Sequence, residues 1–303
     1  MIQNKITVSI GMPVFNDKLY LNQSLGSLLQ QTYSNFELII SDDGSTDGSE
    51  DICREYAQKD NRIVYIRQNK TLGISKNMEF LLKKARGEYF MWAADDDLWN
   101  KEFIERLLHG LRASPDAIVA FCPYIFIDTN NNILQEYPVR AVNYKSQSIL
   151  RRLIMLTQKW DDGFGYGLFI REKIKNVKFP VWWWINNKCA YNNIYPTLYF
   201  YLTKGNFAFV DGDPLWLNRL KPQERINHNI PFDNTFLRGL FAYSLRRINL
   251  FYKCIQSILL VNPLKSYIAI ILFPFMVKKL LGDIKGYLFT GLKLYHKGYK
   301  SLW

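Results

Sequence analysis

Tyr89-Phe-Met-Trp-Ala-Ala-Asp95-Asp96-Asp97-Leu-Trp99 decides the fold. An apolar run of the kind that forms a buried strand stops abruptly in three consecutive carboxylates. Adjacent anions repel one another, and carboxylate oxygens suit hard divalent cations such as Mg2+ or Mn2+. A solvated acidic turn is the alternative. Upstream, short β-type runs alternate with helical stripes. Ile6–Ile10 reads as a strand, followed by a turn-rich loop through Gly11, Pro13, Phe15 and Asp17. Leu21, Leu25, Leu28 and Leu29 recur at helical spacing, with Asp17 placed to cap the helix. Phe36–Ser41 is the second strand and ends in Asp42-Asp43-Gly44. Asp47 and Glu50 resemble a capping pair for a helix carrying Ile52 and Tyr56. Ile63–Ile66 is a third strand, and Ile74, Met78, Leu81, Leu82 and Ala85 stripe a third helix that ends near Gly87.

The order β-α-β-α-β-α-β predicts an α/β fold with a mainly parallel sheet covered by helices. Such sheets bind ligands at the carboxyl ends of their strands. Pro13 to Phe15, Asp42-Asp43 and Asp95 to Asp97 all fall at such ends, so one site should gather them. No GxGxxG follows the first strand and no GxxxxGK[ST] occurs, which argues against a dinucleotide site and a P-loop. Gly163-Phe-Gly165-Tyr-Gly167 lacks the strand–turn–helix setting and reads as a close-packed loop or strand.

The 303 residues are enough for a sizeable core, and 48% hydrophobic with 22% charged residues argues against disorder. Cys53, Cys122, Cys189 and Cys254 are scattered, with no CxxC pair, and read as reduced thiols of a cytosolic chain. The amino terminus passes straight into a strand-like run, and no secretory signal is read there. Net charge is +12, and it is uneven: from Thr235 to Trp303 eleven Lys and Arg residues face Asp283 alone. The partner of that basicity belongs to this segment.

Ser9-Ile-Gly-Met-Pro13-Val-Phe15-Asn16, Leu29-Gln-Gln31-Thr-Tyr and Glu37-Leu-Ile-Ile-Ser-Asp42-Asp43-Gly44-Ser45-Thr46-Asp47 closely resemble family 2 glycosyltransferases. Gly73-Ile-Ser-Lys-Asn77, Ala85-Arg-Gly87-Glu-Tyr89 and Ala94-Asp95-Asp96-Asp97 continue the resemblance in order. It covers residues 6–130 and weakens beyond Arg171. The resemblance implies a GT-A fold, a nucleotide-sugar donor, a divalent metal and inversion at the anomeric carbon. By position, Pro13 and Phe15 would line the base pocket, and Asp43 would accept from the base N3–H, favouring a uracil or thymine nucleotide. Asp96 would be the metal ligand, with Asp95 beside the ribose or diphosphate. Ala94 stands where many relatives carry a further Asp. Lys76 reads either as a second cation at the site or as an exposed helix lysine. Of Asp42 and Asp43, one would cap the loop as an Asx turn and the other bind ligand.

An inverting transfer also needs a general base for the acceptor hydroxyl. Relatives usually carry an acidic pair where this chain has Tyr191-Asn192-Asn193-Ile194. Asp161 and Asp162 are the best substitutes, with Asp211 and Asp213 next; each also reads as a structural loop acid. Pro180-Val-Trp182-Trp183-Trp184 suits a stacking platform for a sugar, a lid, or a membrane-facing patch.

Domain boundaries are expected at 1–234 for the catalytic domain, its donor half ending at 110 and its acceptor half spanning 111–234. A basic amphipathic segment at 235–303 would follow. There, Ser266–Val277 is too short an apolar run to span a bilayer, and Lys285, Lys293 and Lys297 alternate with leucines. That pattern suits a helix lying against anionic lipid, with a re-entrant pair hinged at Pro263 and Pro274 or a soluble bundle as alternatives. Nothing resembles a nucleic-acid reading module. The expected protein is a metal-dependent, inverting glycosyltransferase on the cytoplasmic membrane face. It would use a UDP- or dTDP-sugar and a glycan or lipid-linked acceptor in building an envelope polysaccharide. A non-catalytic partner subunit and a nucleotidyltransferase are the alternatives.

Overall fold

The computed structural model describes residues 6–135, 137, 139–159, 161–179, 181–184, 189–192, 195–221, 248, 251–256, 268, 270–282 and 285. The alternation read from the sequence is present: β1 (Val8–Val14), α1 (Lys18–Leu29), β2 (Phe36–Asp42), α2 (Ser49–Lys59), β3 (Ile63–Arg67), α3 (Ile74–Lys84) and β4 (Tyr89–Trp92). The chain continues through β5 (Leu98–Trp99), α4 (Phe103–Arg112), β6 (Ala117–Phe121), β7 (Tyr124–Ile127) and α5 (Ile149–Lys159). A 3-10 turn at Gly163–Tyr166 leads to β8 (Leu168–Ile170), α6 (Arg171–Ile174), β9 (Val181–Trp184) and β10 (Cys189–Asn192). Then come α7 (Tyr195–Lys204), β11 (Asn206–Phe209) and β12 (Trp216–Arg219).

Seven strands form the main sheet in the order β11-β6-β8-β4-β1-β2-β3. It is parallel except for β8, which runs antiparallel to both β4 and β6. Every residue of β2 is buried, whereas β3 at the edge is half exposed, as burial on both faces of inner strands requires. Buried Glu37 on β2 is matched by Arg86, whose Nε and Nη2 donate to its Oε2 at 2.9 and 2.7 Å, and by the Ser9 hydroxyl at 2.6 Å. A smaller sheet, β5-β12-β7, lies after the triplet; β12 runs antiparallel to β5 and parallel to β7.

β1 runs further than the sequence reading had it, through Pro13 to Val14. Gly11 O accepts from Ala93 N at 2.9 Å on the β4 side, and Val14 O accepts from Asp43 N at 2.9 Å on the β2 side. Strand alternation therefore turns the Pro13 nitrogen toward the β4 side, beyond the last β4 partner at Trp92. The missing N–H loses no ladder bond there, so proline is tolerated inside the strand.

Two compact units divide the chain. One comprises Met1–Gln147, Asp161–Phe179 and Lys204–Pro222; the other comprises Ser148–Trp160, Pro180–Thr203 and Gln223–Trp303. The expected boundary at 234 lies outside the described residues. In the second unit, Arg152 of α5 donates to Leu202 O through Nε and Nη2 at 3.1 and 2.9 Å, and the Thr157 and Tyr199 hydroxyls meet at 2.6 Å. β9 and β10 pair as an antiparallel hairpin; the surroundings of Trp182 to Trp184 lie outside the described residues. Residues 270–282 are helical, Pro274 included. Pro263 and most of the basic segment lie outside the described residues. Among the described residues, no helix is long and apolar enough to cross a membrane.

The glycine-rich turn is close-packed, as the sequence suggested. A Cβ on Gly167 would lie 2.4 Å from Ala120 O, a backbone atom of the sheet that cannot rotate away. Gly167→Ala is expected to lower stability by about 1–3 kcal/mol, read as a lower denaturation midpoint with unchanged slope.

Candidate active site

The three carboxylates that end β4 have different partners. Asp97 is buried, 2% exposed; its Oδ2 accepts from Trp216 Nε1 and its Oδ1 from Arg219 N, both at 2.8 Å. Burial, and then the neighbouring Asp96, push its pKa up to about 7. Arg219 secures the same turn. Its Nε donates to Asp96 O at 2.8 Å, its Nη1 to Asp128 O at 2.9 Å and its Nη2 to Asn131 Oδ1 at 2.7 Å, and its guanidinium lies 4.4 Å from the Tyr20 ring centre. Across the turn, Ala94 O accepts from Ser24 Oγ of α1 at 2.9 Å.

Asp95 and Asp96 join Asp17 instead. One ligand oxygen from each of the three lies within 4.8 Å of the others. Lys221 Nζ forms ion pairs with both Asp17 and Asp96. Asp95 Oδ2 accepts from Phe15 N at 3.4 Å. Burial, then Asp17 and Asp96, push the Asp95 pKa well above the usual carboxylate range. A group so raised marks a place where negative charge is in excess, and three oxygen donors there fit Mg2+ or Mn2+. Asp17 was expected to cap α1, but its side chain makes no cap bond; Asp47 Oδ2 accepts from Lys18 N at 2.9 Å in its place. Asp17 and Lys221 are therefore the site residues that sequence reasoning missed. The position of Asp17 after β1, at the same sheet end as the triplet, was the one signal for it.

The other expected residues gather around this crevice. Phe15 follows β1 with 53% of its surface exposed at the carboxyl ends of the strands, its amide held by Asp95. Asn16 holds φ at 55° and accepts from Thr46 N at 2.8 Å, fixing the loop between β1 and α1 against the loop after β2. The two adjacent carboxylates after β2 divide as anticipated for the capping member. Asp42 Oδ1 accepts from Gly44 N and Ser45 N at 3.1 and 2.7 Å, and its Oδ2 from Tyr65 Oη and Arg67 Nη1 at 2.8 and 2.9 Å. Asp43 Oδ1 and Oδ2 accept from Leu72 N and Gly73 N at 2.7 and 2.8 Å. Each Asp43 oxygen keeps a lone pair for a further donor. Lys76 is exposed in the first turn of α3, just beyond this clamp.

Asp161 and Asp162 precede the 3-10 turn. Asp161 is buried, with Oδ1 accepting from Gly163 N at 3.0 Å. Burial, then Asp161, push Asp162 up to about 6. A wall of aromatic rings links this pair to the triplet. Tyr124 and Tyr166 lie 4.5 and 4.7 Å from Trp216, the ring that donates to Asp97. Burial first, then Asp97, Asp162, Asp96 and Asp95, keep the Tyr166 hydroxyl protonated. By contrast, Asp211 and Asp213 lie exposed in the turn between β11 and β12. Asn192 ends β10, and Asn193 lies outside the described residues.

A mostly parallel sheet flanked by helices, with an acidic cluster after its fourth strand, is an architecture of the GT-A type. The description Glycosyl transferase family 2 matches residues 9–178, and the chain belongs to that family. It is 27% identical over 270 residues to glycosyltransferase GlyG of Streptococcus pneumoniae serotype 4, across 86% of this chain and 87% of that one. It is 36% identical over 178 residues to putative glycosyltransferase EpsH of Bacillus subtilis, across 57% of this chain and half of that one. S. aureus TarS 1-349 in complex with UDP-GlcNAc shares the fold with a TM-score of 0.58 at 15% identity, over 93% of this chain and 81% of that one. Mannosyltransferase PcManGT from Pyrobaculum calidifontis, in complex with GDP-Man and Mn2+, shares it at 0.50 and 15% identity, over 96% and 81%.

Trp216→Phe keeps a ring in the wall but removes the donor to buried Asp97 Oδ2. It is expected to cost about 1.5–3 kcal/mol, measured by chemical denaturation, while the far-UV circular dichroism keeps the shape given by the folded helices and strands.

Proposed function

We propose that the chain transfers a sugar from a UDP- or dTDP-sugar to a glycan or lipid-linked acceptor, with inversion and with a divalent metal. The single observation that carries this reading is the convergence of Asp17, Asp95 and Asp96 beside exposed Phe15 at the carboxyl ends of the strands. Phe15 and Pro13 would pack against the base, and Asp43 would accept its N3–H. Asp96, with Asp17 and Asp95 beside it, would hold the metal. When bound, that metal would supply positive charge to the leaving nucleoside diphosphate. Lys76 would face the same diphosphate. Asp162, with its pKa at about 6, is suited to accept the acceptor's hydroxyl proton at neutral pH, with Asp161 alongside. The complexes of neighbouring folds with UDP-GlcNAc and with GDP-Man and Mn2+ support a nucleoside-diphosphate-sugar donor, and the first of them carries uracil.

We place the chain peripherally on the cytoplasmic face of the membrane, in envelope polysaccharide synthesis. Exposed Ile270, Phe273 and Leu281 beside exposed Lys278 support contact with anionic lipid, and so does the basic excess after Thr235. The relative named as a putative teichuronic acid biosynthesis glycosyltransferase, TuaG of Bacillus subtilis, fits that setting.

The test is a panel of nucleotide-sugars with glycan and lipid-linked acceptors, read by release of nucleoside diphosphate and by NMR of the new anomeric centre. Uridine or thymidine donors should turn over in Mn2+ or Mg2+ with inverted product, and Asp96→Ala should abolish turnover. Asp162→Asn should lower kcat by about 100- to 10,000-fold. In the wild type, kcat/KM should rise with pH through about 6, because the base must first lose its proton. Full activity in Asp162→Asn would remove that residue from the role; pyrophosphate as product would replace the reaction by nucleotidyl transfer.

A further inference from the structure

Lys221 has an ammonium inside the carboxylate cluster. Its side chain is 16% exposed, its Nζ lies 5.3 Å from the Tyr20 ring centre, and it pairs with Oδ2 of both Asp17 and Asp96. Asp17 is itself 3% exposed, and an uncompensated carboxylate at that depth is strongly unfavourable. Two of the three candidate metal ligands therefore already share a cation that the chain carries, which offsets one of their two charges. An ammonium in ion-pair contact with both Oδ2 atoms competes with a divalent ion for those atoms.

We propose that Lys221 is a resident counter-cation that the metal must displace, so that metal loading and release of Lys221 from Asp17 and Asp96 are one event. This inference rests on the metal-dependent reading of the site. Without metal, Lys221 holds the loop after β1 and the end of β4 together. With metal, those carboxylates exchange one cation for another, and the observed metal Kd is the intrinsic Kd divided by the fraction of molecules in which Lys221 is released.

The experiment titrates Mn2+ into metal-stripped full-length protein and follows free Mn2+ by its EPR signal. It compares the wild type with Lys221→Met, with Lys221→Gln, which keeps a polar end, and with Asp96→Asn. Both Lys221 variants should bind Mn2+ about tenfold or more tightly than the wild type, and Asp96→Asn should bind it more weakly. In EDTA the Lys221 variants should melt below the wild type, and saturating Mn2+ should close the gap. If the wild type binds Mn2+ and neither Lys221 variant binds it more tightly, the counter-cation role is overturned while the metal site stands. If wild type and variants all leave Mn2+ free, the metal reading falls, and this inference with it.

Discussion

Three consecutive carboxylates at the end of a buried strand are tolerable only if their charges are divided among different partners. The bond from Trp216 Nε1 to Asp97 Oδ2, with the Arg219 amide on Oδ1, makes that division. It ties the end of β4 to β12, 119 residues further along the chain in the case of Trp216. Asp97 thereby becomes part of the framework, and Asp95 and Asp96 are left to meet Asp17. Arg219 completes the turn by binding the Asp96 and Asp128 carbonyls, so the turn is held through its backbone while the Asp95 and Asp96 carboxylates take other partners, Phe15 N and Lys221.

The rest of the crevice follows from sheet topology. β1 lies between β2 and β4, so the loops after these three strands meet at one end of the sheet. Parallel strands make that convergence obligatory, because all three leave the sheet in the same direction. Each loop is stiffened by carboxylate-to-amide bonds: Asp42 to its own turn, Asp43 to the loop before α3, Asp47 to the start of α1. Phe15 and the Asp17, Asp95 and Asp96 oxygens are presented on that stiffened frame. The frame fixes where these groups stand, so the rearrangement that a divalent cation requires is confined to the Lys221 side chain.

The first ninety residues were legible because helical and strand periodicities there agree with their turn chemistry, as Leu21, Leu25 and Leu28 and the fully buried β2 illustrate. Family 2 membership and the mostly parallel sheet follow from the same motifs. What escaped the sequence depends on long-range contact. Asp17 read as a helix cap because its spacing to Leu21 is local, whereas its partner Lys221 lies 204 residues away. The Asp97 pin was invisible for the same reason, and β12 gave no strong strand signal of its own. The extension of β1 through Pro13 was missed because proline usually ends a strand, and only the early stop of β4 makes it harmless. The aromatic wall of Tyr124, Tyr166 and Trp216 likewise depends on long-range contact, β12 pairing with β7 and the 3-10 turn packing on Trp216, not on any periodic pattern.

The central claim is that the acidic crevice binds a nucleoside diphosphate through a divalent cation. Isothermal titration of UDP into the full-length protein, once with Mn2+ and once with EDTA, addresses it most directly. The account predicts saturable binding with Mn2+ that is lost in EDTA. Equal affinity in the two buffers would contradict it.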